Sequence, residues 1–86
     1  MSGQTTMIQY TLTSDAPVIL VIYDITGHEI KRFVFASGEN GGRANVNNVV
    51  WDGRSIFGDV AGNGMYVYKI ISKGKLIGTG KLVVYD

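Results

Sequence analysis

The sequence predicts an all-β domain, an antiparallel sandwich of about seven short strands. Three observations predict it. Twelve glycines and one proline cut the 86 residues into short pieces. Those pieces are rich in Val, Ile, Tyr, Thr and Phe, which suit a pleated, half-buried surface. Turn signals recur about every 8–12 residues, and no longer stretch keeps a helical spacing of apolar positions. A small closed barrel is the alternative arrangement of the same strands.

The first strand runs from Thr6 to Leu12, where Ile8, Tyr10 and Leu12 alternate with Gln9 and Thr11 and mark one buried face. Ser14-Asp15-Ala16-Pro17 is a turn in which Asp caps its own backbone and Pro presets φ. The second strand, Val18 to Asp24, is apolar on both parities: Val18, Leu20 and Ile22 on one, Ile19, Val21 and Tyr23 on the other. Thr26-Gly27 turns the chain into a third strand over Glu29 to Phe35, making a hairpin. Residues 36–48, with Gly38, Gly41, Gly42 and four asparagines, read as a surface loop holding a short edge strand around Arg43 to Val46.

A short strand from Val49 to Asp52 carries the only tryptophan, and a second glycine-rich loop spans Gly53 to Gly64. Met65 to Ser72 is a strand whose charged Lys69 sets Met65, Val67 and Ile71 outward with it, and Tyr66, Tyr68 and Ile70 inward. Lys73-Gly74-Lys75 is a hairpin turn into a last strand, Leu76 to Tyr85. The expected core is therefore Ile8, Tyr10, Leu12, Leu20, Ile22, Trp51, Tyr66, Tyr68, Ile70, Leu82 and Val84.

Length and charge narrow the function classes. A chain of 86 residues, 45% hydrophobic and 17% charged, is one domain with one core, spanning residues 1–86. A net charge of +1 excludes a nucleic-acid binder driven by bulk charge. With no cysteine there is no disulfide, no thiolate metal site and no cysteine nucleophile. No apolar run is long enough to insert in a membrane as a helix, and the first residues lack the basic-then-apolar order of a signal peptide.

Catalytic and cofactor signals are weak throughout, and the expectation is a domain with no enzymatic activity, no metal and no cofactor. His28 is the only histidine and follows a turn glycine, which suits a solvated turn residue better than a general base. Gly78-Thr79-Gly80-Lys81 resembles the end of a phosphate loop, but position 75 is Lys, position 82 is Leu, and a strand continues where a helix must begin. Asp52, Asp59 and Asn63 are the best candidates for a calcium loop. They lack the spacing of a known loop, and Gly53, Gly58 and Gly62 already account for them as turn formers.

Two surface features point to partners. Residues 69–85 hold Lys69, Lys73, Lys75 and Lys81 and no acid, which reads either as protection of an exposed sheet edge or as a basic strip for an anionic partner. Ile19 and Val21 sit on the outer parity of the second strand, under a loop or neighbouring strand or against another domain. The candidate partner face is therefore Ile19, Val21, Lys73, Lys75 and Lys81.

Several stretches together carry a family resemblance. They are Thr5-Thr6-Met7-Ile8-Gln9-Tyr10-Thr11-Leu12, then Val18 to Ile30 with Tyr23-Asp24 and Gly27, then Val50-Trp51-Asp52-Gly53-Arg54, then Gly64-Met65-Tyr66-Val67-Tyr68-Lys69-Ile70, and a closing Lys81-Leu82-Val83-Val84-Tyr85. In order and spacing they resemble the FlgD Ig-like domains and the related type A C-terminal sorting domains of the type IX secretion system. The chain departs from the sorting pattern in showing no Pro-Asn-Pro lead-in and in having Ser55 where an acid is common.

The resemblance implies a seven-stranded Ig-like sandwich without catalytic residues. It implies a C-terminal accessory module of a larger secreted or cell-surface bacterial protein, acting in export, attachment or domain spacing. Its partners would be other domains of the parent protein and, in the sorting version, the secretion machinery, with the isolated domain a monomer. The flagellar version implies a hook-capping scaffold. A carbohydrate-binding module appended to a glycoside hydrolase is a third reading, and it requires a flat row of exposed aromatics drawn from Tyr23, Phe35, Phe57 and Tyr85.

Overall fold

Period-two alternation sorts the side chains of each strand to two faces, and the computed structural model shows how those faces meet. It describes residues 6–55, 62 and 64–84. Among them are the strands β1 (Thr6–Leu12), β2 (Val18–Asp24), β3 (Glu29–Phe35), β4 (Asn45–Trp51), β5 (Gly64–Ser72) and β6 (Lys75–Val84), and no helix. β1 pairs with β4 in a two-stranded sheet. The other four form a second sheet in the order β3-β2-β5-β6, every pairing antiparallel.

The inner faces of the two sheets close on one core. Ile8, Leu12, Val49 and Trp51 of the small sheet meet Val18, Leu20, Ile22, Tyr66, Ile70, Leu82 and Val84 of the large one. Trp51 is fully buried and stands edge-on to Tyr66, with ring centroids 5.6 Å apart. Both rings have their polar ends satisfied: Trp51 Nε1 donates to the Arg54 carbonyl at 2.9 Å and the Tyr66 hydroxyl donates to the Gly62 carbonyl at 2.6 Å. Nine of the eleven expected core residues are buried, while Tyr10 and Tyr68 are only partly buried against the cluster. Gly80 explains Tyr68: it lies opposite on β6, where a Cβ would collide with the Tyr68 ring, so the ring lies over bare backbone.

Of the expected strands, about seven, six lie among the described residues. The two pieces expected at Arg43–Val46 and Val49–Asp52 are one strand, β4, because Asn47 takes an inward position between Asn45 and Val49. A polar residue there hides the alternation in the sequence. Asn47 is fully buried and fully bonded: its Oδ1 accepts from the amides of Gly41 (2.9 Å) and Arg43 (3.3 Å), and its Nδ2 donates to the carbonyls of Arg43 (2.8 Å) and Asn45 (3.3 Å).

Asn47 thus anchors the 36–44 loop, which is more ordered than its glycine content suggests. Gly41 and Gly42 are buried, and the Tyr10 hydroxyl donates to the Gly41 carbonyl at 2.7 Å. At Gly42 a Cβ would press on the carbonyl oxygens of Ala16 and Ala36. Asp15 bonds into this loop, accepting from the Ala44 amide at 2.7 Å, where the sequence suggested a cap of its own turn.

Turn chemistry accounts for the two hairpins. Lys73 and Gly74 form a two-residue loop between Ser72 and Lys75 with φ of 52° and 77°, the double left-handed conformation that matches strand twist. In the β2–β3 hairpin Asp24 Oδ1 accepts from the Thr26 amide (2.9 Å), the Thr26 hydroxyl (2.6 Å) and the His28 amide (2.9 Å), while Gly27 takes φ of 95°. These bonds, the Thr26 hydroxyl first and the His28 amide next, hold the Asp24 carboxyl below the usual carboxylate range.

Candidate interaction surface

The outer face of the four-stranded sheet is the region with the clearest unassigned chemistry. Register aligns its side chains in rows that cross the strands. One row is apolar from edge to edge: Val34 on β3, Ile19 on β2, Ile71 on β5 and Leu76 on β6. Val34 is 71% exposed and Leu76 59%, while Ile19 and Ile71 between them are partly exposed.

The next row is Arg32, Val21, Lys69 and Thr79, and the third contains Tyr23, Val67 and Lys81, with Glu29 opposite Tyr23. Both cations of the second row turn toward the third. Arg32 forms a two-bond pair with Glu29, at 2.8 and 3.2 Å, and the Lys69 ammonium lies 5.1 Å from the Tyr23 ring centroid. The apolar row is left open.

This register corrects the expectation for Val21. It stands on the outer parity, as its position in β2 requires, yet it has no exposed surface and does not belong to the core cluster. Its cross-strand partners are Arg32 and Lys69, whose long aliphatic stems flank it while their charged ends reach solvent. Val21 has no apolar area left to give a partner.

The lysines expected to form one strip are divided. Lys69 and Lys81 project from the outer face, whereas Lys73 and Lys75 border a groove of about 290 Å³ at the end of the sandwich, lined also by Leu12, Thr13, Ser14, Ala16, Ser72 and Ile77. The sequence did not single out Val34 or Leu76. Each lies beyond a register shift, at Ile30 in β3 and at Ile77 in β6, so parity counted along the strand does not place them beside Ile19 and Ile71.

The outer face of the small sheet is less continuous. It exposes Met7, Val46 and Val50, but Gln9 and Asn48 cross its middle, with Gln9 Nε2 donating to Asn48 Oδ1 at 2.9 Å.

Among the described residues no three His, Cys, Asp or Glu side chains gather as a metal site. Asp52 accepts from the Arg54 amide at 3.0 Å in a tight turn, and Asp59 and Asn63 lie outside the described residues. His28 is 81% exposed, its Nδ1 2.7 Å from the Thr26 hydroxyl and 3.5 Å from Asp24 Oδ2. Of the aromatics a sugar-stacking row would need, Tyr23 sits under Lys69 and Phe35 stacks on Phe33 against the core, while Phe57 and Tyr85 lie outside the described residues.

The fold and its bare outer face define a β-sandwich protein of the Ig-like kind. No family model matches the sequence, and no curated protein is a significant match. The fold is similar to the crystal structure of FlgD from P. aeruginosa, with a TM-score of 0.74 and 20% sequence identity. That match covers 94% of this chain and 62% of the FlgD chain, so the likeness reaches through nearly all of this domain and less than two thirds of the other protein. At this identity the likeness is one of fold.

Proposed function

We propose that this chain is a non-catalytic Ig-like accessory module of a secreted or cell-surface multidomain bacterial protein. It works by protein–protein contact through the outer face of its four-stranded sheet, in export, attachment or domain spacing. The observation that carries this reading is the apolar row Val34–Ile19–Ile71–Leu76. The domain's own core does not use it, and a neighbouring domain tethered to the chain would cover it. Burying side chains of this kind contributes about 1.5–3 kcal/mol each, sufficient to hold a tethered domain and too little to bind a free one tightly.

Export is tested directly. Fused to a periplasmic reporter in a host with type IX machinery, the chain carries the reporter out of the cell, and changing Val34 and Leu76 of the row together to Glu stops it while circular dichroism shows the fold intact. A reporter that stays in the periplasm with the unchanged chain removes the export role and leaves attachment or spacing. The likeness in fold to FlgD supports a second reading, a hook-capping scaffold domain. It predicts that the chain, grafted in place of the corresponding FlgD segment, restores motility to a strain lacking that segment.

A further inference from the structure

The sheet edges differ in how they are guarded against a further strand. β3 carries Glu29, Lys31 and Arg32 and a register shift. β6 carries Lys75, Lys81, two interior glycines and a register shift. The open side of β4 is capped by a side chain: Asn40 Nδ2 donates to the Asn48 carbonyl at 2.8 Å, and Asn40 Oδ1 accepts from the Asn48 amide at 3.4 Å. Charge, bulges and capping are the usual means of keeping an edge from pairing. Among the described residues β1, Thr-Met-Ile-Gln-Tyr-Thr-Leu, has none of them: no charge, no Pro, no Gly and an unbroken register against β4.

The direction of its backbone groups follows from Asn40. Opposite residues in an antiparallel pair alternate between those that exchange backbone bonds and those that do not. Asn48 turns its amide and carbonyl away from β1 to Asn40, so its partner Gln9 turns its own away from β4. By the two-residue repeat, Met7 and Thr11 do the same. Three amides and three carbonyls of β1 therefore face an edge that no other described strand pairs with.

At the end of that edge lies the groove floored by Leu12, Ala16 and Ile77 and rimmed by Lys73 and Lys75. Among the described residues, no β4 residue and no carboxylate lines it. It opens between the β1–β2 turn and the β5–β6 hairpin.

We propose that the free edge of β1 binds an extended acidic segment of another protein. The segment adds as a strand beside Met7, Gln9 and Thr11, seats an apolar side chain on Leu12 and Ile77, and sets a carboxylate against Lys73 and Lys75. Main-chain bonds give the affinity, and the groove and its cations give the selection. The strand-adding edge is on the opposite sheet from the apolar row, whereas Lys75 and Ile77 flank Leu76 of that row, so protection of the β1 amides, which the row does not touch, is what separates the two readings.

The test is amide exchange and chemical-shift mapping of the whole chain with blocked heptapeptides of alternating Val and Thr, Glu at either end, and the same peptides with Lys for Glu. One Glu peptide slows exchange of the Met7, Gln9 and Thr11 amides by about tenfold or more. Lys73→Glu with Lys75→Glu, both exposed positions, reverses the preference toward the Lys peptide. Protection that appears on β3 or β6, or nowhere at millimolar peptide, overturns the proposal. So does equal binding of the Glu and Lys peptides.

Discussion

The four-stranded sheet has two apolar faces that are covered in different ways. Its inner face, with Val18, Leu20, Ile22 and Ile70, is sealed by β1 and β4. On its outer face Val21 is just as inaccessible, but beneath the stems of Arg32 and Lys69 from its own sheet, and the neighbouring row of Val34, Ile19, Ile71 and Leu76 is uncovered. Equal burial therefore does not mean an equal role. Side chains under the second sheet hold the fold together, and those under the aliphatic stems of their own sheet's charged residues belong to a surface.

Substitutions test this contrast, beginning with the largest effect. Trp51→Ala opens a cavity between the sheets and costs about 3–5 kcal/mol in denaturant unfolding. The same exchange made on both faces is more discriminating. Val18→Thr places a hydroxyl in the core and costs about 2 kcal/mol, whereas Val21→Thr lets it reach solvent between the stems and costs about 0.5 kcal/mol. Equal losses would erase the distinction between the faces.

Tyr10→Phe removes the bond to the Gly41 carbonyl that ties β1 to the 36–44 loop, at a cost of about 1 kcal/mol. Burial raises the Tyr10 hydroxyl to about 12 from 10.0. Its folded-state value lies above the unfolded one, so this stabilisation is complete below pH 10 and is lost as pH rises through 12. The stability difference between the native chain and Tyr10→Phe should narrow over that range. The smallest effect is a gain: Lys73→Asn suits the left-handed φ of 52° and stabilises the hairpin by about 0.5 kcal/mol.

The legible parts of the fold are those encoded by near neighbours. Alternation around Ile8–Leu12 and Tyr66–Ile70, the Lys73-Gly74 turn and the Thr26-Gly27 turn each show within a few residues. The 36–44 loop was opaque because its order comes from distant groups, Asp15 on Ala44, Tyr10 on Gly41 and the buried amide of Asn47. The site was half legible for the same reason. Ile19 and Ile71 could be set outward from their own strands. Val34 and Leu76 join them only through cross-strand register, and Val21 is hidden by residues on two other strands.

The central claim, that the outer apolar row is a contact face, has a direct test in the cysteine-free chain. Val34→Cys and Leu76→Cys place a thiol on the row, and Val50→Cys places one on the outer face of the small sheet. Maleimide labelling rates are compared for the isolated domain and for the longer parent polypeptide proposed above to contain it. All three thiols should label readily in the isolated domain. In the parent the two on the row should be slowed by about tenfold or more while the thiol at position 50 is unchanged. Equal labelling of the row in both settings would contradict the account.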